Sequence, residues 1–251
     1  MMRSHLLLFL FVSLCLIGCS PENEAETLYV AAASDLYHAL TEIGEAFTEE
    51  TDIALEFTFG STGLLTQQIQ EGAPFDLFLA AHESYIDRLM EREALLPDSK
   101  AYYAIGRLVL MGPALPEGDQ LALDYLVDPE VKTIAIANPE HAPYGKAAQE
   151  ALETSGIWEE IQPKLVYAEN IRQAYQYAES GNADVGIIAL ALMNETEFPY
   201  EVIDEDLHLP LMQALGIPAQ TEKEELSRKL AAFILSEQGR SILQQYGFDL
   251  P

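Results

Sequence analysis

The sequence predicts an α/β chain folded as two lobes, each a mostly parallel sheet flanked by helices, with a ligand cleft between them. From residue 27 onward, short apolar, β-branched or aromatic runs alternate with longer amphipathic stretches, the order that builds βαβ units. Several runs are apolar almost throughout, as strands covered on both faces are. Two such arrays follow one another, joined near residues 101–106 and again near 205–211, so the last helices return to the first lobe. Ligands in such folds lie at the carboxyl ends of the strands.

The elements follow in order. Residues 28–32 read as a buried strand, and 35–48 as a helix with Leu36, Leu40, Ile43 and Phe47 on one face. Residues 53–59 are a strand, 63–70 a helix, 76–80 a continuous apolar strand and 84–93 a helix. After a break at 97–100, residues 103–111 read as one strand and 113–119 as a loop. Strands at 131–137 and 164–168 are followed by helices at 145–154 and 171–180. Residues 184–192 read as strand then short helix, and amphipathic helices at 223–236 and 239–246 close the chain.

The amino terminus differs from the rest. Arg3 is the one charged residue before an apolar run from Leu6 to Gly18, which is too short for a spanning helix of about 20 residues. A positive start, a short apolar core and a small residue before the break describe a secretory leader. The segment Leu16-Ile17-Gly18-Cys19 is similar to a bacterial lipobox, which implies a leader at 1–18, a lipidated Cys19 that anchors the chain to the cell membrane, and a polar tether through residue 26. Lobe 1 is then expected at 27–104 and 209–251, and lobe 2 at 105–208. Cys15 and Cys19 are the only cysteines in the chain, so the body after residue 19 holds no disulfide, thiolate metal site or cysteine nucleophile.

Thirteen basic residues stand against 41 acidic ones, a formal net charge of −28. That balance excludes nucleic acid as a partner, because phosphates need a basic footprint. It suits solubility outside the cell.

Four strand-to-helix junctions carry the chemistry: Ala31-Ala32-Ala33-Ser34-Asp35, Phe59-Gly60-Ser61-Thr62-Gly63, Ala137-Asn138 through Tyr144-Gly145, and Ala168-Glu169-Asn170-Ile171-Arg172. Each sets small or hydroxylic residues at a helix start, where free N–H groups and the positive dipole end point outward. Such ends bind anions, and several converging on one cleft hold a dianion without lysine or arginine. Taken singly, Ser34 and Thr62 read as helix N-caps, and Tyr144 and Ile171 as packing residues. Asp35, in a first turn, is expected to point outward.

Together these stretches, with Gly72-Ala73-Pro74-Phe75-Asp76-Leu77-Phe78, Asn138-Pro139-Glu140-His141-Ala142-Pro143, Ala183-Asp184-Val185-Gly186-Ile187 and the closing Tyr246-Gly247-Phe248, resemble the molybdate-binding proteins of ABC importers across the whole mature chain. The resemblance implies the two-lobed periplasmic-binding-protein type II fold, no enzymatic activity and no cofactor beyond the ligand, molybdate or tungstate. It implies an ABC permease with its ATPase as partner, and a monomer. It makes Ser34 and a hydroxyl of the Ser61–Thr62 pair donors, with Thr62 the better match, and has Tyr144 and Ile171 donate through backbone N–H groups. Many members carry a donor tyrosine where Ala189 stands here; Tyr144 is then expected to close over the pocket. Asp35 and Ala189 are the further candidate site positions.

The chemistry of the ligand agrees with a donor-only pocket. Molybdate and tungstate are fully deprotonated near neutral pH, and sulfate likewise only accepts, whereas hydrogenphosphate carries a proton and wants an acceptor, a role open to Asp35. Sulfate and phosphate are therefore the alternative ligands. A hydrolase reading needs Ser34, His141 and an acid such as Asp76 to meet, without a G-x-S-x-G elbow or an H-E-x-x-H motif. A sensing module would carry a DNA-binding or spanning segment, which the sequence lacks; a surface-adhesion role is the remaining class.

Overall fold

The computed structural model describes residues 26–113, 121–194, 196 and 198–251. The expected leader, Cys19, the tether up to residue 25 and most of the 113–119 loop lie outside the described residues.

In chain order the elements are β1 (Thr27–Ala33), α1 (Tyr37–Thr51), β2 (Ala54–Gly60), α2 (Thr62–Gln70), β3 (Leu77–Ala80), α3 (Glu83–Glu91) and β4 (Ala101–Gly106). Next come β5 (Leu108–Met111), β6 (Ile134–Ala137), α4 (Pro143–Thr154), α5 (Trp158–Ile161), β7 (Leu165–Ala168), α6 (Ile171–Glu179) and β8 (Val185–Ala189). The chain closes with β9 (Tyr200–Val202), β10 (Leu211–Gly216), α7 (Glu224–Ile234) and α8 (Glu237–Gln245). Short 3-10 turns stand between them, notably at Ser34–Leu36 and Leu190–Leu192.

Two five-stranded sheets result, ordered β2-β1-β3-β10-β4 and β7-β6-β8-β5-β9. In the first, β1 is parallel to β2 and β3, and β10 is antiparallel to both β3 and β4. The second repeats the plan, with β6 parallel to β7 and β8, and β5 antiparallel to β8 and β9. Each sheet therefore has one strand against an otherwise common direction, and the fold is the two-lobed α/β arrangement.

The alternation of side chains along a strand explains how one sheet feeds two cores. Leu28, Val30 and Ala32 of β1 pack with Leu36, Leu40, Ile43 and Phe47 beneath α1 and with Leu230, Ile234 and Leu243 of the C-terminal helices. Ala31 faces the other way, with Phe78 and Ala80 of β3, Leu65 and Ile69 of α2, and Ile86 and Leu89 of α3. Ile134 to Ala137, Val185 and Ile187 anchor the separate core of the second sheet against Ala148, Ala151 and Leu152 of α4 and Ala174 of α6.

Two expectations change. The run 103–111 is not one strand: β4 pairs with β10 in the first sheet, β5 with β8 and β9 in the second, and Arg107 carries the chain across. Gly106 permits this, because a Cβ there would collide with the Tyr144 hydroxyl. The strand β10, expected only as a crossing, is an interior strand of the first sheet. Its polar centre, Gln213, is fully buried, which broke the apolar run that marks such strands.

Candidate functional site

The four junctions meet between the lobes. Ser34, Ser61, Thr62, Tyr144 and Ile171 are 3, 3, 1, 2 and 4 % exposed, although each stands at a helix start, where a free surface would leave it open to water. The hydrogen-bonded ladders of α2, α4 and α6 begin at Leu65, Lys146 and Ala174. Thr62, Tyr144 and Ile171 precede those points, so their N–H groups lack intrahelical acceptors. Donors from both lobes and the starts of three helices are thus buried.

Neither Ser34 nor Thr62 is an N-cap. Ser34 Oγ donates across the lobes to Asn170 Oδ1 at 3.1 Å and accepts from the Arg172 N–H at 3.4 Å. Thr62 Oγ1 accepts from Ala81 N–H at 3.1 Å, leaving its own proton free to donate. Ser61, which does occupy the N-cap position of α2, makes no side-chain cap bond. Its Oγ lies 2.7 Å from His141 O and 2.8 Å from His141 Nδ1. Asn170, whose Oδ1 also caps α6 through Gln173 N–H at 3.0 Å, is a contact of the site that sequence reasoning did not single out. A strong N-cap residue immediately before Ile171 was the available signal.

Asp35 corrects an expectation. It does not point outward but is fully buried, with Oδ2 accepting from Gln213 Nε2 at 2.6 Å and Oδ1 without a hydrogen-bond partner. Burial raises its pKa from 3.8 to about 6, against the lowering effects of Gln213, Tyr144 and nearby backbone N–H groups. Gln213 also donates to Tyr144 Oη at 3.2 Å and accepts from Tyr103 Oη at 2.7 Å. Burial, with the Asp35 charge second, pushes both tyrosine hydroxyls well above their usual range, so both stay protonated. The Tyr144 hydroxyl thus accepts from Gln213 and interacts with Asp35 in this buried cluster, packed against Gly106, rather than closing over the pocket as a replacement donor. Ala189 is fully buried at the end of β8 and offers only backbone.

Around this centre, the Arg172 guanidinium of one lobe sits 3.5 Å over the Tyr37 ring of the other. The three groups of the hydrolase reading do not meet. Ser34 bonds Asn170 and His141 bonds Ser61, while Asp76 is held by Tyr29 N–H, Thr221 and Lys223 at the opposite end of the sheet. No cluster of residues able to hold a metal ion occurs among the described residues.

Two lobes closing helix starts over a buried set of donors define a solute-binding protein, not an enzyme. The chain belongs to the bacterial extracellular solute-binding protein family, whose model matches residues 28–249. It is 30% identical over 233 residues to the molybdate-binding protein ModA of Rhodobacter capsulatus, covering 92% of each chain. It is 28% identical over 247 residues to YvgL, a putative ABC transporter substrate-binding lipoprotein of Bacillus subtilis (strain 168), covering 94% of this chain and 93% of that one. Among solved structures it is similar to the periplasmic molybdate-binding protein of Azotobacter vinelandii, with a TM-score of 0.84 and 29% identity, covering 89% of this chain and 99% of that one. The family is one of extracellular proteins by its description, and the Azotobacter vinelandii protein is periplasmic. Among the described residues no helix is long and apolar enough to cross a membrane.

Proposed function

We propose that this protein is the substrate-binding lipoprotein of an ABC importer, and that it captures molybdate, and tungstate with it, outside the membrane for delivery to the permease. The observation that carries the reading is the burial of hydroxyl and first-turn N–H donors from both lobes at one place, supplied by Ser34, Thr62, Tyr144 and Ile171. Such a set suits a fully deprotonated tetrahedral dianion, which accepts hydrogen bonds and donates none. The names of the relatives at 28 to 30% identity support the same ligand and transport class.

On this reading residues 1–18 are a leader, Cys19 carries lipid, 19–26 form a tether, and lobes at 27–104 with 209–251 and at 105–208 close as a monomer around the ligand. Closure is favoured because the dianion bridges donors that only the closed form brings together.

Calorimetric titration of residues 20–251 against molybdate, tungstate, sulfate and phosphate tests it. One-to-one binding of the first two, with the others silent, is expected; heat from none of them sinks the reading. A second reading, hydrogenphosphate, is favoured by the partnerless Oδ1 of Asp35, and binding of phosphate alone would install it. The anchor is tested by fractionation: the wild type stays with membranes, and Cys19→Ala is released.

A further inference from the structure

We infer that His141 is the latch that holds the lobes closed, a positioning residue that touches no ligand and that commits Ser61 to closure rather than to ligand binding. The inference deepens the binding-protein reading and rests on it for its ligand, but its test has a part that needs no ligand.

The loop before α4 is braced to present His141. Asn138 N–H donates to Ala168 O at 2.8 Å, and Asn138 O accepts from His141 and Ala142 N–H at 3.3 and 2.9 Å. Asn138 Oδ1 takes Glu140 N–H at 3.0 Å. The His141 carbonyl is thereby turned to the other lobe, where it accepts from Gly63 N–H at 2.9 Å and from Ser61 Oγ at 2.7 Å.

Counting protons settles the third bond. A carbonyl can only accept, so the single hydroxyl proton of Ser61 goes to His141 O. The 2.8 Å contact between Ser61 Oγ and His141 Nδ1 then requires the proton to sit on Nδ1, the assignment the network dictates. Ser61 has no proton left for an anion. Thr62, whose Oγ1 accepts from Ala81 N–H, keeps its proton and is the hydroxyl donor at this junction.

The close approach is built into residue 63. A Cβ on Gly63 would fall 2.6 Å from His141 O and 2.9 Å from His141 Cβ. The lobes can meet here only over a glycine, so Gly63→Ala props them apart by pressing on His141 while leaving every side chain of the site in place.

The latch makes a distinctive prediction: losing it weakens every oxyanion that binds by the same factor, whereas losing a ligand donor alters the ranking among oxyanions. Residues 20–251 contain no cysteine, so a spin-label pair at Glu91→Cys and Glu153→Cys reports the lobe separation by pulsed electron paramagnetic resonance. His141→Ala is expected to bind molybdate about tenfold more weakly, the scale of one net hydrogen bond, with a longer and broader distance distribution. His141→Asn, which can place an amide N–H near the Nδ1 position, restores binding to within about twofold, and Ser61→Ala with His141→Ala is no weaker than Ser61→Ala alone, because removing Ser61 Oγ already abolishes both its bonds to residue 141. Losses that add in the double variant, or His141→Ala with wild-type affinity and distances, overturn the latch. Should the wild type bind none of the oxyanions, the ligand reading fails, and the ligand-free distances of His141→Ala and Gly63→Ala still decide: wild-type distances in both overturn the latch.

Discussion

Two of the junctions at which the lobes meet across the cleft are built on different chemistry. At Ser61–His141 the contacts span 2.7 to 2.9 Å and rely on backbone groups of a glycine and a braced loop. At Ser34–Asn170 they lengthen to 3.1 and 3.4 Å, with a buried carboxylate at the next residue and a guanidinium stacked nearby. The shorter junction is suited to set geometry. The longer one, flanked by charge, can exchange its protein partners for a ligand at little cost, because little is lost when weak bonds are replaced.

Asp35 gives the largest expected contrast between them. Its folded pKa is raised from 3.8 to about 6, so the folded state binds more protons than the unfolded one across that interval. Stability contributed by this group is fully present below about pH 4 and is lost as pH rises to about 6, a span worth on the order of 3 kcal/mol. Asp35→Asn keeps an acceptor for Gln213 and removes the charge; denaturation should find it more stable than wild type at pH 8 and equal at pH 4. A dianion nearby favours the protonated carboxyl too, so molybdate affinity should rise as pH falls through 6 in the wild type and stay flat in Asp35→Asn. Variants at Ser61 keep Asp35 and should therefore keep the wild-type pH dependence.

Thr62→Ala comes next. It removes the hydroxyl donor at the α2 start and leaves the buried Ala81 N–H without its acceptor, which costs about 2 kcal/mol in stability. It should weaken molybdate by more than the latch variants do and shift the order of oxyanions; equal losses for Thr62→Ala and Ser61→Ala across all ligands would erase the distinction drawn between the neighbouring hydroxyls. Ser34→Ala should cost about 1 to 1.5 kcal/mol of binding free energy by titration, less than Thr62→Ala because Arg172 N–H alone loses an acceptor. The smallest effect is at the rim: Arg172→Gln removes a cation–π contact worth about 0.5 to 1 kcal/mol, visible as a modestly longer lobe separation in the ligand-free protein.

Much of this was legible in the chain. Runs such as Leu77-Phe78-Leu79-Ala80 could only be covered strands, and the spacing of Leu36, Leu40, Ile43 and Phe47 could only be a helix face, because burial imposes periods of 2 and 3.6 on apolar side chains. The junction residues were visible as a set for the same reason: hydroxyl and glycine residues at successive strand ends are locally recognisable. What escaped was each case in which a residue's partner lies far along the chain. Asp35 reads as an outward first-turn carboxylate until Gln213, 178 residues away, is brought over it. Gln213 itself disguised β10, and residues 103–111 gave no hint that two sheets divide them at Arg107.

The amino-acid sequence by itself determined the α/β order, the two arrays, the acidic surface and the four helix starts that a dianion could use, since propensity, periodicity and dipole direction are local properties. The tertiary structure alone decided how those starts are employed. It turned Ser61 to His141 and left Thr62 its proton, sent the Tyr144 hydroxyl to the crossover, and buried Asp35. A hydroxyl has one proton and a carboxylate titrates in whatever surrounds it, so their roles depend on neighbours that only the closed chain supplies.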